Sequence, residues 1–279
     1  MIGCACVVPF REYYLTSAGW VGANNSQVSA VWMNRAQNLS VISACQAPNW
    51  TCIEVHAERA PEDSWLDLVP QPIFSPDGDS FLLLASVAED ADRYTHVKHV
   101  TRKQTRTAVL SHGRYEVTEI LAWDTVNHIV FYLGTSESKP GQQHLYIVRD
   151  PSTDDPRRLQ PHCVTCELAL GPHYGNCTHF WASPNPTAHN VAVTHYVLEC
   201  QGPGLPRGAV HAASTHQLLR SLFSEVRVHG ARLAQLALPK MRSFQVPLAQ
   251  GFRAHVQLLL PPSWREELRD AAFPVLVEV

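Results

Sequence analysis

The sequence lacks the features that would place it in several common functional classes. No apolar run approaches the roughly 18–20 residues of a membrane-spanning helix, and residues 1–10 have no basic segment of the kind that begins a signal peptide. The 22 basic and 25 acidic residues give a net charge of −3, so the basic surface typical of nucleic-acid-binding proteins is not expected. The 15 histidines include no H-E-x-x-H zinc motif. His96 and His99 are interpreted as part of a solvated strand face rather than as ligands.

Helix-period patterns are also missing before about residue 215, so this part of the chain is expected to be β structure. A strand–turn–strand unit at residues 71–84 reads QPIFSPDGDSFLLL, with a tight Pro-Asp-Gly turn at 76–78. Degenerate copies of this unit occupy residues 20–32, 121–133 and 182–197. In the last copy the strand is expected at residues 191–193. A spacing of roughly 50–60 residues is typical of β-propeller blades, and a β-sandwich with similar hairpins is the alternative.

Cysteines and glycosylation sequons together indicate an exported chain. There are eight cysteines. The four N-x-S/T sequons are at Asn24, Asn38, Asn49 and Asn176. Three of them fall within 30 residues of one another and beside a pair of cysteines. Disulfide bonds form and persist in oxidising, extracellular compartments, so this combination favours a secreted or extracellular protein.

The C-x-x-C motif at Cys163 and Cys166 has three possible interpretations: a structural disulfide, a zinc site or a redox site. The histidines close to it in sequence are His162, His173 and His179. No second C-x-x-C and no H-x₃₋₅-H pair accompanies the motif. A structural disulfide is therefore favoured.

The pattern changes after Thr215, where helix-forming and α/β features begin. A helix is predicted over residues 224–238, ending at Pro239, followed by a strand at 253–260. A capping box at Ser263–Glu266 predicts a short helix to about Asp270. The apolar run at 273–279 predicts another strand. The order strand, helix, strand indicates the beginning of an α/β domain.

Several segments, in consistent order over residues 11–279, carry a resemblance to a known family. They are residues 12–14 (EYY), 32–40 (WMNRAQNLS), 74–78 (FSPDG), 163–166 (CVTC), 177–180 (CTHF), 200–206 (CQGPGLP) and 260–262 (LPP). The chain resembles the dipeptidyl peptidase IV family. That resemblance implies an eight-bladed β-propeller joined to an α/β-hydrolase domain, in a type II membrane protein that forms homodimers.

On this basis the chain is expected to be mainly β, with the C-terminal blades of a β-propeller followed by the first strands of an α/β-hydrolase domain. Residues 1–10 are expected not to match the family. About three blades are expected at 11–225, and the start of the hydrolase domain at 226–279, truncated before the nucleophile. The resemblance also implies the three disulfides Cys45–Cys52, Cys163–Cys166 and Cys177–Cys200, and leaves Cys4 and Cys6 without an assigned partner. N-glycosylation is expected at the four sequon asparagines.

Little of the family's catalytic machinery carries over to this chain. The G-x-S-x-G motif of the nucleophile is absent, and the family's catalytic Asp and His follow that Ser in the chain. The family's substrate-binding Arg would fall between Trp65 and Pro72, where this sequence has Leu66-Asp67-Leu68 and no Arg. No catalytic, cofactor-binding or metal-binding residue is therefore expected here.

Two function classes follow. The first is the propeller portion of a membrane-bound serine exopeptidase that releases X-Pro or X-Ala dipeptides. The second is part of a catalytically inactive homologue that acts as an interaction or potassium-channel auxiliary subunit. In either class the expected partner is a peptide substrate or a protein, on the extracellular side of the plasma membrane or in secreted form, and not nucleic acid.

Overall fold

The computed structural model of the chain describes residues 13–22, 26–68, 70–103, 106–151, 159–168, 173–185, 191–222, 230–232, 235–249, 253–268 and 273–278. Its internal contacts divide the chain into two compact units, Met1–Phe223 and Ser224–Val279. The division falls two residues before position 225, where the sequence predicts the end of the blade region.

The first unit is built from four consecutive antiparallel meanders, and a parallel pairing of Gln143 with His179 joins meanders 3 and 4 into one eight-stranded sheet. Meander 1 contains β1 (Tyr13–Val21), β2 (Gln27–Asn34), β3 (Leu39–Gln46) and β4 (Thr51–Arg59). Meander 2 contains β5 (Ile73–Phe74), β6 (Ser80–Glu89), β7 (Asp92–Thr101) and β8 (Arg106–Val109). Meander 3 contains β9 (Val117–Asp124), β10 (Ile129–Thr135), β11 (Gln143–Arg149) and β12 (His162–Cys163), followed by the short helix α1 (Val164–Leu168). Meander 4 contains β13 (His179–Pro184), β14 (His195–Gly202), β15 (Arg207–Ala212) and β16 (Leu218–Ser221).

The turn that begins meander 2 forms as its residue types predict. Gly78 has a φ of 72°, a conformation open to glycine without steric cost, and its N–H donates to Ser75 O at 2.9 Å. The Asp77 carboxylate accepts bonds from Ser75 Oγ at 2.6 Å and from the Asp79 N–H at 2.9 Å. A Cβ at Gly78 would lie 3.0 Å from Val21 Cγ1, so a larger residue is also excluded by packing against meander 1.

Successive meanders pack face to face through their central strands. On β6, Phe81 and Leu83 contact meander 1, whereas Leu82 and Leu84 contact meander 3. Residues 130–133 on β10 alternate in the same way between meanders 2 and 4. Side chains alternate between the two faces of a strand, so a strand buried on both faces needs an unbroken apolar run. The runs FLLL and IVFYL meet this requirement, and each fully buried side chain stabilises the fold by about 1.5–3 kcal/mol.

One expectation for this unit is wrong. The strand predicted at residues 191–193 is not formed there, because these residues are irregular and the strand begins at His195. The Val193 N–H donates to the Asp124 carboxylate of meander 3 at 2.8 Å, and this bond takes the place of a ladder partner.

The second unit contains the antiparallel hairpin β17 (Lys240–Pro247) and β18 (Arg253–Leu260), and β18 was predicted at residues 253–260. Most of the predicted helix at 224–238 lies outside the described residues. The capping box predicts a helix to about Asp270. In the described residues it forms only the 3-10 helix Glu266–Leu268, and residues 269–270 lie outside the described ranges. The strand predicted at 273–279 is wrong for the described residues 273–278, which are irregular and exposed, with Leu276 95% exposed. A strand needs a neighbour that accepts and donates its ladder bonds, and apolar composition alone does not supply one.

Candidate functional site

A cleft lies where meanders 1 and 2 meet the segment that joins them. It encloses about 260 Å³. Its charged and aromatic lining comprises Glu58, Arg59, Trp65, Asp67, Arg93, Tyr94 and Glu116. The family resemblance predicts a substrate-binding Arg in this joining segment, residues 65–71, and the sequence has no Arg there.

The connecting segment is held by its backbone and presents apolar side chains outward. The Leu66 N–H donates to Gln37 O at 2.7 Å, and Ser64 Oγ donates to Pro61 O at 2.8 Å. Trp65 is nevertheless 72% exposed and Leu68 is 69% exposed. A fixed backbone carrying exposed, large apolar side chains is suited to contact with another molecule.

A charged group at one wall of the cleft joins the two meanders. The Glu58 carboxylate on β4 accepts bonds from His56 Nε2 at 2.7 Å and from Lys98 Nζ on β7 at 2.9 and 3.0 Å. Burial alone raises the pKa of Glu58, but the bonds from His56 and Lys98 and the charge of Lys98 outweigh it, so this pKa lies below its usual value. The carboxylate therefore remains ionised at neutral pH and fixes the two sheets to each other.

Other polar groups of the cleft are also engaged with the protein itself. Arg93 donates through Nε to Ser86 Oγ and through Nη2 to Ser86 O, both at 3.0 Å. Glu116 Oε2 accepts the N–H of Thr95 at 2.6 Å. Among the described lining residues there is no histidine that could act as a base for the cleft serines.

Among the described residues, the disulfides are the three pairs that the resemblance implies. Cys45–Cys52 spans the β3–β4 hairpin, with Cα atoms 3.9 Å apart. Cys163–Cys166 closes the C-x-x-C motif over a Cα–Cα distance of 5.5 Å. Cys177–Cys200 ties the entry of β13 to β14 at 5.9 Å. Cys4 and Cys6 lie outside the described residues.

The sequon asparagines lie at the surface where the structure describes them. Asn38, Asn49 and Asn176 are exposed, each in or beside a turn, whereas Asn24 lies outside the described residues. The Asn38 side chain accepts a bond from Asn34 Nδ2 at 2.8 Å. Asn176 precedes Cys177, which is buried in its disulfide. Glycosylation at these positions stays a prediction.

A sequence profile of the dipeptidyl peptidase IV (DPP IV) N-terminal region matches residues 6–207, which is most of the chain. The chain belongs to the dipeptidyl peptidase IV family. The match begins inside the 1–10 segment that we expected not to match. The chain is 30% identical to inactive dipeptidyl peptidase 10 of Mus musculus over 207 residues, which cover 72% of this chain and 24% of that protein. It is 25% identical to prolyl endopeptidase FAP of Homo sapiens over 281 residues, covering 98% of this chain and 34% of that protein.

Among solved structures, the dipeptidyl peptidase 4 of Porphyromonas gingivalis has a similar fold, with a TM-score of 0.69 at 14% identity, covering 91% of this chain and 32% of that one. The chain thus spans about a third or less of the length of these dipeptidyl peptidase relatives. The family assignment and the mainly β fold follow from these matches. Within the described residues, no helix is both long enough and apolar enough to cross a membrane.

One serine–histidine pair in this family member looks superficially catalytic. His96 Nδ1 lies 2.9 Å from Ser111 Oγ, and Glu89 lies 3.9 Å from His96 Nε2. Both His96 and Ser111 are fully buried, and Ser111 Oγ also accepts the N–H of Val97 at 3.0 Å. Burial lowers the pKa of His96. The pair is a packing network with no access for a substrate.

This burial also corrects the solvated-face interpretation of His96 and His99. His96 Nε2 lies 3.0 Å from Gly113 O, and the half-buried His99 packs edge-on against Trp123 at 5.5 Å between centroids. Sequence reasoning missed these roles because the partners Ser111, Gly113 and Trp123 are 15–24 residues away, in the segment after β8 and on β9. It likewise missed His144, which lies beside the C-x-x-C disulfide.

Proposed function

We propose that this chain is the propeller portion of a non-catalytic member of the dipeptidyl peptidase IV family, which acts as a protein-binding subunit on the extracellular side of the plasma membrane. The observation that carries the proposal is the cleft segment at residues 65–68. Where the family resemblance leads us to expect a substrate-binding Arg, the segment supplies Leu66, Asp67 and Leu68, and Asp67 lines the cleft.

The chemical difference between Arg and Asp at this place is large. An Arg donates two parallel N–H bonds to a peptide carbonyl or carboxylate, and such charge-assisted bonds are about twice as strong as neutral ones. A carboxylate has no donor at neutral pH and repels the same oxygen atoms. Arg93 of the same cleft is engaged by Ser86, which supports a cleft that does not bind dipeptide substrates.

The exposed Trp65 and Leu68 support a protein partner instead. Trp is strongly enriched among the residues that dominate binding energy at protein interfaces. The similarity to a relative named inactive dipeptidyl peptidase 10 points in the same direction. The partner is a membrane protein such as a potassium channel, and the full-length protein is a homodimer.

A second candidate function is the membrane-bound serine exopeptidase that releases X-Pro or X-Ala dipeptides. It is favoured by the match to human prolyl endopeptidase FAP, which extends over 98% of this chain. In this case the Ser, Asp and His of the catalytic triad come from outside the 279 residues.

The two functions are separated by an assay of the full-length natural protein, with human prolyl endopeptidase FAP as the positive control. We expect no hydrolysis of a chromogenic Gly-Pro substrate and no labelling by a fluorophosphonate probe, which reports an activated serine. Hydrolysis that a single Ser→Ala substitution abolishes would establish the exopeptidase instead. The 279-residue chain alone is expected to be inactive. Turnover by this chain that one Ser→Ala substitution within it abolishes would overturn that expectation.

Partner binding is tested by co-expression of the full-length protein with a voltage-gated potassium channel. Trp65→Ala with Leu68→Ala should reduce co-purification and any change in channel current, because both side chains are largely exposed and contribute little to folding. Val126→Ala is a matched control, since Val126 is 49% exposed on a different meander. An unchanged complex with the double variant would show that this segment is not the contact surface.

A further inference from the structure

A cluster of three potential metal ligands lies in meander 3, away from the Trp65 cleft. His144 on β11 stands beside the Cys163–Cys166 disulfide, and one ligand atom from each of the three residues lies within 4.8 Å of the others. The histidines that are close to this motif in sequence are His162, His173 and His179. The residue that the fold brings to it is His144, 19 positions before Cys163.

The sheet sets this arrangement. β12 pairs with β11 in the register Tyr146 to Cys163, so the C-x-x-C motif leaves the sheet next to the start of β11. Cys166 then lies one turn later in α1, with its N–H donating to Cys163 Sγ at 3.2 Å. The Cα atoms of the two cysteines are 5.5 Å apart.

His144 is buried and held in a fixed orientation. It is 3% exposed. Its Nδ1 lies 3.0 Å from Oγ1 of Thr165, the residue between the two cysteines, and its Nε2 lies 3.2 Å from Gln142 Oε1. Histidine ligands in metal sites use one ring nitrogen for the metal and the other for an orienting partner, so metal binding here replaces one of these two contacts and keeps the other.

The cluster is open to solvent from one side. A cavity of about 380 Å³ is lined by His144 and Cys166 together with Lys139, Gln142 and Asn176. Cys166 is exposed, whereas Cys52 is half-buried and Cys45, Cys177 and Cys200 are each no more than 6% exposed. A small dithiol and a metal ion can therefore reach this disulfide more readily than the other two.

We propose that this cluster binds one Zn²⁺ when the Cys163–Cys166 disulfide is reduced, with the two thiolates and the His144 imidazole as ligands and a water in the fourth position. A dithiol reductant opens the bond, yielding two protein thiols and the oxidised, cyclic reductant. Zn²⁺ then displaces the two thiol protons, which are released to solvent. Three protein ligands with an open fourth position is a common zinc arrangement.

The geometry requires only a small adjustment. Zn–S bonds of about 2.3 Å and Zn–N bonds of about 2.0–2.1 Å place tetrahedral ligand atoms roughly 3.5–3.8 Å apart. The ligand atoms of the cluster already lie within 4.8 Å of one another. Reduction frees the two sulfur atoms, which are bonded to each other in the disulfide, to separate towards this spacing.

The test uses the full chain, treated briefly with dithiothreitol in zinc-free buffer and then titrated with Co²⁺ and with Zn²⁺. Thiol trapping and peptide mapping should find Cys163 and Cys166 opened first. The reduced chain should bind one metal ion, with the thiolate-to-cobalt absorption of a tetrahedral site, and release two protons per Zn²⁺. The oxidised chain should bind neither ion at this site.

Variants separate the ligands from their surroundings. Removal of a ligand, His144→Asn, should weaken zinc binding more than about 100-fold, and Thr165→Val, which removes an orienting contact, should weaken it about 10–100-fold. His179→Asn is the matched control, because His179 is exposed and should leave the affinity unchanged. If His144→Asn does not fold by circular dichroism, the exposed Cys166→Ser takes its place.

Three results would overturn the proposal. The first is zinc binding of equal affinity in the oxidised chain. The second is an unchanged affinity and cobalt spectrum in His144→Asn. The third is a reduced, folded chain that binds no zinc. None of these outcomes depends on peptidase activity or on partner binding, so they are independent of the proposed function.

Discussion

Asp124 is the residue whose substitution tests most directly how meanders 3 and 4 are joined. Its carboxylate is buried at the end of β9. One oxygen accepts the N–H groups of Val126 at 3.0 Å and Asn127 at 2.9 Å. The other accepts Asn127 Nδ2 at 2.7 Å and the N–H of Val193 at 2.8 Å. One side chain thus closes the β9–β10 turn and also fixes the segment before β14.

The cost of Asp124→Ala follows from the donors that it leaves behind. Val193 is 4% exposed, so its N–H would remain buried without an acceptor, at a cost of about 1–3 kcal/mol. Val126 and Asn127 reach solvent, and water replaces their bonds at a net loss of about 1 kcal/mol. Together these predict a decrease of about 3 kcal/mol in the free energy of unfolding. Asp124→Asn keeps an acceptor on one side only and should give an intermediate decrease.

The measurement is urea unfolding of the full chain, followed by circular dichroism and tryptophan fluorescence, with hydrogen exchange of the peptide containing Val193. Asp92→Ala is the control, because Asp92 is an exposed carboxylate at the start of β7 and should cost less than about 0.5 kcal/mol. A folded Asp124→Ala protein that loses less than 1 kcal/mol and keeps the Val193 amide protected would refute this account of the junction.

Three further predictions follow from other parts of the structure. Cys177→Ser with Cys200→Ser should lower the free energy of unfolding by about 3 kcal/mol in the chain-entropy model, measured by urea unfolding, and a loss below 1 kcal/mol would contradict that model. Burial lowers the pKa of His211, which is 1% exposed and bonded to Tyr174. The stability that neutral His211 contributes is therefore fully present above the unfolded-state pKa of 6.5, and it is lost as the pH falls through the lower pKa of the folded state. His211→Gln should therefore make the free energy of unfolding decrease less steeply below pH 6.5. Secreted chain should lose mass on N-glycosidase treatment and lose less after Asn49→Gln, whereas an unchanged mass loss would show that Asn49 carries no glycan.

The mainly β fold could be predicted from the sequence because its determinants are local. The Pro-Asp-Gly turn at 76–78 specifies a reversal through φ preferences and side-chain bonds within five residues. The FLLL and IVFYL runs predict strands that are buried on both faces, and the packing of β6 and β10 explains why alternation is missing there. These features operate within one strand and one turn, which is the range that pattern analysis covers.

The segment at 191–193 shows where local reasoning stops. Two valines favour a strand, but Asp124, 69 positions earlier, accepts the Val193 N–H. Asn185 Oδ1 accepts the N–H groups of Thr194 and His195 at 2.8 and 3.0 Å. Side-chain acceptors thus replace ladder bonds until β14 begins. Such competition depends on tertiary contacts that propensity does not contain.

The candidate sites are less predictable than the fold for the same physical reason. The Trp65 cleft takes walls from two meanders and from their connection, and the charge state of Glu58 depends on Lys98, 40 residues away on another sheet. His144 reaches the C-x-x-C motif only because β12 folds back onto β11. In both places, a segment recognisable in the sequence provides some of the side chains of the site, and strands that are distant in sequence provide the others. The family resemblance implies the disulfide pairs. His144, the residue that would let one of these cysteine pairs bind a metal, is found only from the strand register.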